Sequence, residues 1–155
     1  MITIYTLGHS NHPLPRFIEL LRQHQIEILV DVRSVPFSRH APQYRQRELQ
    51  RAVEAQGVIY VHLGKELGGM PRAPEPDFQA GIARLLALAE GQRAAIMCAE
   101  EAPSRCHRSA LIAPALRERG VTMVHIRGDG RLQRDGEEAG AGGESSGQLS
   151  LFEQE

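Results

Sequence analysis

Residues 26–30, IEILV, and residues 94–98, AAIMC, are two short apolar runs that decide the fold class. Such runs, bounded by polar residues, are typical of strands that are buried on both faces. Strands are predicted at residues 2–7, 26–32, 58–63, 94–98 and 121–126, and helices at residues 14–23, 42–56, 77–90 and 103–119. This alternation predicts an α/β fold with a mostly parallel five-stranded sheet and helices on both faces. Pro114 lies inside the last helix and should kink or shorten it.

The net charge of the chain hides two unlike parts. The 155 residues carry a formal charge of −1, with 41% hydrophobic and 24% charged side chains, as in an ordinary globular protein. Residues 1–134 hold 18 basic and 13 acidic side chains, whereas residues 135–155 hold six acidic and no basic ones. We expect a moderately basic α/β domain at 1–134, compatible with a polyanionic partner. We expect a disordered Gly/Glu/Ser tail at 135–155.

Three features of the sequence bear on the compartment. No stretch approaches about 18 uninterrupted apolar residues, so no membrane span is expected. The N-terminal apolar run has no basic region before it, which argues against a secretory signal. Cys98 and Cys106 are the two cysteines of the chain. A disulfide framework is therefore excluded, and a cytoplasmic protein with free thiols is expected.

Polar side chains follow the first four predicted strands. In an open parallel sheet, the carboxyl ends of the strands meet at one edge, and ligands bind there. The residues at these positions include His9, Ser10, Asn11, Asp31, Arg33, Lys65, Cys98 and Glu100. The segment after the fourth strand continues to Arg105, Cys106, His107 and Arg108. We expect these groups to form one site, although Asp31 alone could fix nearby backbone and His9 alone could cap a helix.

The side chains in this site suggest an anion-binding or catalytic role. The candidates for binding phosphate or another anion are Ser10, Asn11, Arg33, Lys65, Arg105 and Arg108. His9 or His107 could transfer a proton, and Asp31 or Glu100 could orient a histidine or act as a base. Cys106 is either a nucleophile or a structural thiol.

The two cysteines have different sequence surroundings. Residues 105–108 are predicted to form the first turn of a helix, where the helix dipole and neighbouring arginines would lower the pKa of Cys106. Cys98 ends an apolar strand and is expected to be buried and inert. No cofactor and no metal are predicted, because the C-x7-C-H spacing of Cys98, Cys106 and His107 is atypical of zinc sites.

Four ordered motifs resemble the signatures of the domain-of-unknown-function 488 family. They are TLGHSNHP, LVDVRSVPFSRH, YVHLGKELGG and MCAEEAPSRCHRSALIA, and the resemblance covers residues 1 to about 130. It implies motif positions at His9, Ser10, Asn11, Asp31, Arg33, Pro36, Cys98, Glu100, Cys106, His107 and Arg108. The acidic tail lies outside this motif set.

The end of the tail resembles a different signature. Residues 148–152, QLSLF, are similar to the peptide by which bacterial replication and repair proteins dock on the DNA polymerase sliding clamp. Gln148 would bond at a pocket rim, Leu149 would lie against it, and Leu151 and Phe152 would fill an apolar pocket. Calorimetry on a chain lacking residues 148–152 tests this hypothesis, and unchanged clamp binding would reject it.

Three functions remain open at this stage. The first is a cytoplasmic protein that binds or acts on a phosphate-bearing ligand or nucleic acid in DNA repair or replication, recruited through the sliding clamp. The second is a rhodanese-like or phosphatase-like thiol enzyme, although Glu100 and Glu101 would repel an anion. The third is a non-catalytic nucleic-acid-binding module that uses Arg45, Arg47 and Arg51. The sequence leaves open whether the protein is an enzyme.

Overall fold

The computed structural model describes residues 2–36, 41–69 and 71–137. Six strands form one sheet: β1 (Thr3–Gly8), β2 (Ile28–Asp31), β3 (Ile59–His62), β4 (Ala94–Cys98), β5 (Thr122–Ile126) and β6 (Leu132–Arg134). Five α-helices accompany it: α1 (Leu14–Gln23), α2 (Gln46–Glu54), α3 (Gly64–Leu67), α4 (Glu75–Ala89) and α5 (Ala113–Glu118). The predicted α/β class is confirmed. Within the described residues, no helix has both the length and the apolar character needed to cross a membrane.

The sheet has the order β3-β2-β4-β1-β5-β6, and its first five strands are parallel. Leu29 faces the side where Phe17 of α1 and Leu49 of α2 pack. Ile28 and Val30 face the opposite side, where the apolar residues of α4 and α5 pack. Helices therefore cover both faces, which explains why β2 and β4 consist of buried residues throughout.

The prediction of five strands was wrong by one. β6 pairs with β5 in antiparallel fashion through a turn in which the N–H of Arg127 donates to the carbonyl of Arg131 at 2.8 Å. Its sequence, LQR, has three residues with no buried position, so it carries no apolar pattern that could reveal a strand. β6 supplies backbone partners to an otherwise open edge.

The predicted helix at 103–119 is interrupted. A 3-10 turn spans Pro103–Arg105, and Cys106 then has extended backbone. A π-helical segment at Arg108–Ile112 follows and leads directly into α5. Pro114 lies near the start of α5 and has no N–H to donate, so the disturbed hydrogen-bonding before it agrees with the expected effect of this proline. Arg105 and Cys106 therefore precede the helix instead of forming its first turn.

The register aligns the carboxyl ends of the central strands. Gly8 pairs with Cys98, and Asp31 pairs with both Met97 and His62. The loops after β1, β2 and β4 consequently leave the sheet at the same edge. Their approach is close: a Cβ on Gly8 would lie 1.7 Å from the carbonyl oxygen of Glu100, so this position requires glycine.

Candidate functional site

A pocket of about 460 Å³ lies at the carboxyl ends of β1, β2 and β4. We call it the thiol pocket, and its lining residues are His9, Arg33, Ser34, Val35, Gly69, Cys98, Ala99, Glu100, Arg105, Cys106 and His107. Its volume lies in the range of small-molecule sites. The structure thus brings six of the predicted site residues, together with Cys98, to the lining of one pocket, and Asp31 is paired with Arg33.

Cys106 has the surroundings of a stabilised thiolate. Its side chain is 8% exposed, and Nδ1 of His107 lies 3.6 Å from its Sγ. The pKa of Cys106 is lowered well below its usual range, first by a hydrogen bond from the Cys98 thiol. Burial opposes this shift, but His107, the backbone N–H of Arg108 and the Arg108 charge add to it. The main cause therefore differs from the helix dipole proposed from the sequence.

Cys98 is the second thiol of the pocket. It is 2% exposed at the end of β4, and its Sγ donates a hydrogen bond to the carbonyl of Glu100 at 3.6 Å. Hydrogen bonding to Cys106, together with burial, raises the pKa of Cys98 well above the usual value. The pair thus divides its roles: Cys98 keeps the proton and Cys106 carries the charge.

His107 offers one ring nitrogen to Cys106 and leaves the other without a protein partner. Its Nε2 is buried and makes no hydrogen bond to any residue that the structure describes. Gly69 lies against the ring, since a Cβ there would come within 3.0 Å of it. A buried polar atom without a protein partner usually bonds to water or a ligand, so this nitrogen has unused hydrogen-bonding capacity.

Arg33 is held rigidly at the pocket by Asp31. Its Nε donates to Oδ1 of Asp31 at 2.9 Å, and one terminal nitrogen donates to Oδ2 at 2.8 Å. The hydroxyl of Tyr60 also donates to Oδ2, at 2.6 Å. With these donors and the backbone N–H of Arg33, the fully buried Asp31 carboxylate is saturated. This geometry suits orientation of Arg33 better than proton abstraction.

His9 is a neutral histidine packed between two partners. Burial lowers its pKa to about 4, Arg33 adds to the shift, and the hydrogen bond to Ser10 opposes it. Nδ1 lies 2.8 Å from the carbonyl of Ser10, so it carries the proton and leaves Nε2 as an acceptor 3.4 Å from Arg33. Ser10 has φ of 44°, a strained value for serine. The ring stacks on Tyr44 with centroids 4.3 Å apart.

Arg108 makes different contacts from those predicted. Its side chain is 0% exposed, and one terminal nitrogen donates to the carbonyls of Glu100 and Glu101 at 2.7 and 2.6 Å. The other donates to the Thr6 hydroxyl at 3.0 Å. These contacts favour a structural role for this guanidinium over the anion-binding role assigned to it from the sequence.

The Arg108 contacts continue into a buried chain of hydrogen bonds. We call Thr6, Arg108, His125 and Asp135 the closed network. The Thr6 hydroxyl lies 2.6 Å from Nδ1 of His125, and Nε2 of His125 lies 3.0 Å from Oδ1 of Asp135. Because Asp135 accepts, Nε2 carries the proton and Thr6 donates to Nδ1. Burial lowers the pKa of His125 to about 4, with the Asp135 hydrogen bond opposing.

Several predicted residues lie outside the lining of the thiol pocket. Ser10, Asn11 and Lys65 are exposed and do not line it. The sequence also missed Tyr44, Tyr60 and Thr6, which contact predicted residues, and His125, which contacts Thr6. The sequence placed Tyr60, whose side chain ends in a hydroxyl, on a predicted strand. Its contact with Asp31 depends on the order of the strands in the sheet, which the sequence does not reveal.

Among the described residues, no group of three or more His, Cys, Asp or Glu side chains is placed to bind a metal ion.

Comparison with protein-family models matches residues 13–76 and 72–114 to the domain of unknown function DUF488. The chain belongs to this family. The matched DUF488 region contains the Asp31–Arg33 pair and both thiols, whereas His9 precedes it. Comparisons with curated proteins and with solved structures returned no match.

The clamp-docking peptide stays a prediction. Gln148, Leu149, Leu151 and Phe152 lie outside the described residues, as do residues 138–147 of the predicted tail. Residues 135–137 are described, and Asp135 is joined to the domain through His125 and Arg117.

Proposed function

We propose that this DUF488 protein is a thiol-dependent enzyme in which the Cys106 thiolate attacks an electrophilic centre of a small oxyanion. The observation that carries the proposal is the placement of Cys106 in the thiol pocket, where Nδ1 of His107 lies 3.6 Å from its sulfur and Cys98 lines the same pocket. A thiolate, unlike a thiol, is a strong nucleophile at neutral pH.

The neighbouring groups fit a covalent mechanism. The thiolate attacks the electrophilic atom, and the bond from that atom to the leaving group breaks. His107, with Nδ1 beside the reacting sulfur, holds a proton for the leaving group. Water, or a second nucleophile, then displaces the adduct and releases Cys106 as the thiolate again. The unpartnered Nε2 of His107 marks where a substrate oxygen would bond.

Two guanidinium groups support an anionic substrate. Arg33 lines the pocket from β2, and its orientation is fixed by Asp31. Arg105 lines the pocket from the segment after β4 and is exposed. Glu100 lines the same pocket and offsets part of this charge. The guanidinium donors of Arg33 and Arg105 favour a compact oxyanion such as a phosphate or thiosulfonate group, and a pocket of about 460 Å³ has room for a small molecule.

The reactivity of Cys106 toward iodoacetamide tests the thiolate directly. The alkylation rate of a thiol with pKa about 8.5 falls about tenfold per pH unit below that value. We expect the Cys106 rate, followed by peptide mass mapping, to change less than about twofold between pH 8 and pH 6. A rate that falls in parallel with that of glutathione would reject the proposal.

Matched cysteine variants assign the reactivity. Cys106→Ser leaves only Cys98 and should abolish the labelling that persists at pH 6. Cys98→Ala removes the thiol that donates to Cys106 and should shift its labelling profile to higher pH. Turnover of p-nitrophenyl phosphate would identify the phosphatase-like branch. Release of sulfite from thiosulfate would identify the rhodanese-like branch. Loss of either activity in Cys106→Ser would support the covalent role.

A further inference from the structure

The proposed reaction uses Cys98 only as a hydrogen-bond donor, although it is the nearest thiol to the nucleophile. Its single proton has two acceptors, the Glu100 carbonyl at 3.6 Å and the Cys106 sulfur. Both thiols are reduced in this structure. Both also line the thiol pocket and belong to the same apolar cluster, where few other groups are able to react with sulfur.

The chain path brings these two sulfurs together. Cys98 ends β4, the 3-10 turn at Pro103–Arg105 follows, and Cys106 then lines the same pocket and packs in the same apolar cluster as Cys98. Cys106 has extended backbone and belongs to neither the 3-10 turn nor the helix that begins at Arg108. A residue between two elements can change its backbone angles more freely than one inside a helix. Such an adjustment is needed for disulfide formation, because the two sulfurs must approach to about 2.05 Å.

Resting on the Cys106 thiolate of the proposed function, we infer that Cys98 and Cys106 form a reversible redox pair that reacts with hydroperoxides. The Cys106 thiolate attacks the distal peroxide oxygen and the O–O bond breaks. The leaving alkoxide or hydroxide takes a proton from solvent and departs as an alcohol or water. Cys106 is oxidised to a sulfenic acid and the peroxide is reduced. The Cys98 sulfur then attacks the Cys106 sulfur, and the S–O bond breaks. Water leaves, carrying the Cys98 proton, and the disulfide remains.

The surroundings favour capture by Cys98 over further oxidation. Cys98 is 2% exposed, and it shares a pocket and an apolar cluster with the sulfur that becomes electrophilic, so no diffusing thiol is needed. Arg108 lies close enough for its positive charge to favour the anionic form of both sulfurs, which helps Cys98 to lose its proton. Formation of the disulfide blocks the Cys106 nucleophile, so the proposed group transfer would stop until a dithiol reduces the pair.

Intact-mass analysis of the full chain under non-reducing conditions tests this inference. After treatment with one equivalent of hydrogen peroxide, we expect a loss of about 2 Da and a peptide pair linked through Cys98 and Cys106. Dithiothreitol should reverse the change. In Cys98→Ser, the same treatment should give a gain of about 16 or 32 Da at Cys106 and no link. In Cys106→Ser, oxidation should be much slower, because the remaining thiol keeps its proton.

Three outcomes separate this inference from the proposed function. The link in the wild-type chain, with the adduct in Cys98→Ser, supports the pair. In a contrary outcome, Cys106 of the wild-type protein gains oxygen while Cys98 can still be alkylated after unfolding. That result would overturn the inference of a redox pair. If alkylation of Cys106 is still constant between pH 8 and pH 6 in that case, the proposed function stands without the redox pair. If the alkylation rate instead follows that of an ordinary thiol, the thiolate itself is refuted.

Discussion

The thiol pocket and the closed network are two polar regions at the same edge of one sheet, and they differ in how completely their groups are paired. In the closed network, Thr6 and His125 use both of their hydrogen-bonding positions, and Asp135 accepts from Arg117 and from the neutral His125. Its buried atom without a partner among the described residues is Nε of Arg108, which does not line the pocket. In the thiol pocket, Cys106 carries a charge and Nε2 of His107 has no partner among the described residues. Paired groups hold a structure together, whereas an unpaired group beside a cavity is available to a ligand.

Arg33 and Arg108 show the same difference within one residue type. The sequence gives no reason to separate them, since both follow strands and lie next to other polar residues. Arg33 is held by a carboxylate and lines the pocket. Arg108 is fully buried, and its terminal nitrogens donate to the chain's own oxygens. Whether a guanidinium is available to a ligand therefore depends on which acceptors the protein itself already supplies to it.

The largest expected effect is on stability, from Arg108→Met. This change removes a fully buried guanidinium and leaves the buried Thr6 hydroxyl and the carbonyls of Glu100 and Glu101 without their donor, which should reduce the free energy of unfolding by about 3–5 kcal/mol. Arg105→Met is the matched control at an exposed position, with an expected change within about 0.5 kcal/mol. Urea unfolding measures both. Equal effects of the two substitutions would remove the distinction between the two regions.

The next effect is a loss of stability in mild acid. The folded-state pKa of about 4 for His9 and His125 lies below the unfolded value of 6.5, so between these values only the unfolded chain binds the protons. Stability is therefore full above pH 6.5 and falls as the pH drops toward 4, by about 1.4 kcal/mol per pH unit for each histidine.

His125→Gln sharpens this comparison, because glutamine does not titrate. The variant should lose about 1.4 kcal/mol per pH unit from the slope between pH 6.5 and 5, while His9 continues to contribute. Urea unfolding of both proteins at several pH values measures the slopes. An unchanged slope in the variant would mean that the closed network accepts a proton, contrary to its paired geometry.

The smallest effect concerns charge at the pocket rim. Iodoacetate is anionic and iodoacetamide is neutral, so the ratio of their rates at Cys106 reports the local potential. Arg105→Gln should lower this ratio on the order of twofold to threefold at low salt, with less effect at higher ionic strength. Arg119→Gln, after α5 and before β5, is the control and should leave the ratio unchanged. A ratio that is insensitive to Arg105 would refute its contribution to anion binding.

The sequence predicted most of the fold because the central strands are apolar over several residues and the helices have regular periodicity. It missed β6, because three residues without a buried position show no apolar pattern. It joined residues 103–119 into one helix, because the extended backbone at Cys106 is set by tertiary contacts. It also grouped most of the pocket correctly, because strand ends converge in any parallel sheet. The contact between Cys98 and Cys106 and the pairing of Asp31 with Tyr60 depend on loop path and strand order, which neighbouring residues do not encode.

The position of β1 also has a consequence for how the chain folds. β1 precedes its partners β4 and β5 by some 90 to 120 residues. Loop-closure entropy makes such distant pairings slow to form. The thiol pocket requires the ends of β1, β2 and β4 together, so the nascent chain has no complete site until Cys106 and His107 have left the ribosome. A chain that stops before Thr122 would expose one side of β1, and such an unpaired strand is a site for aggregation.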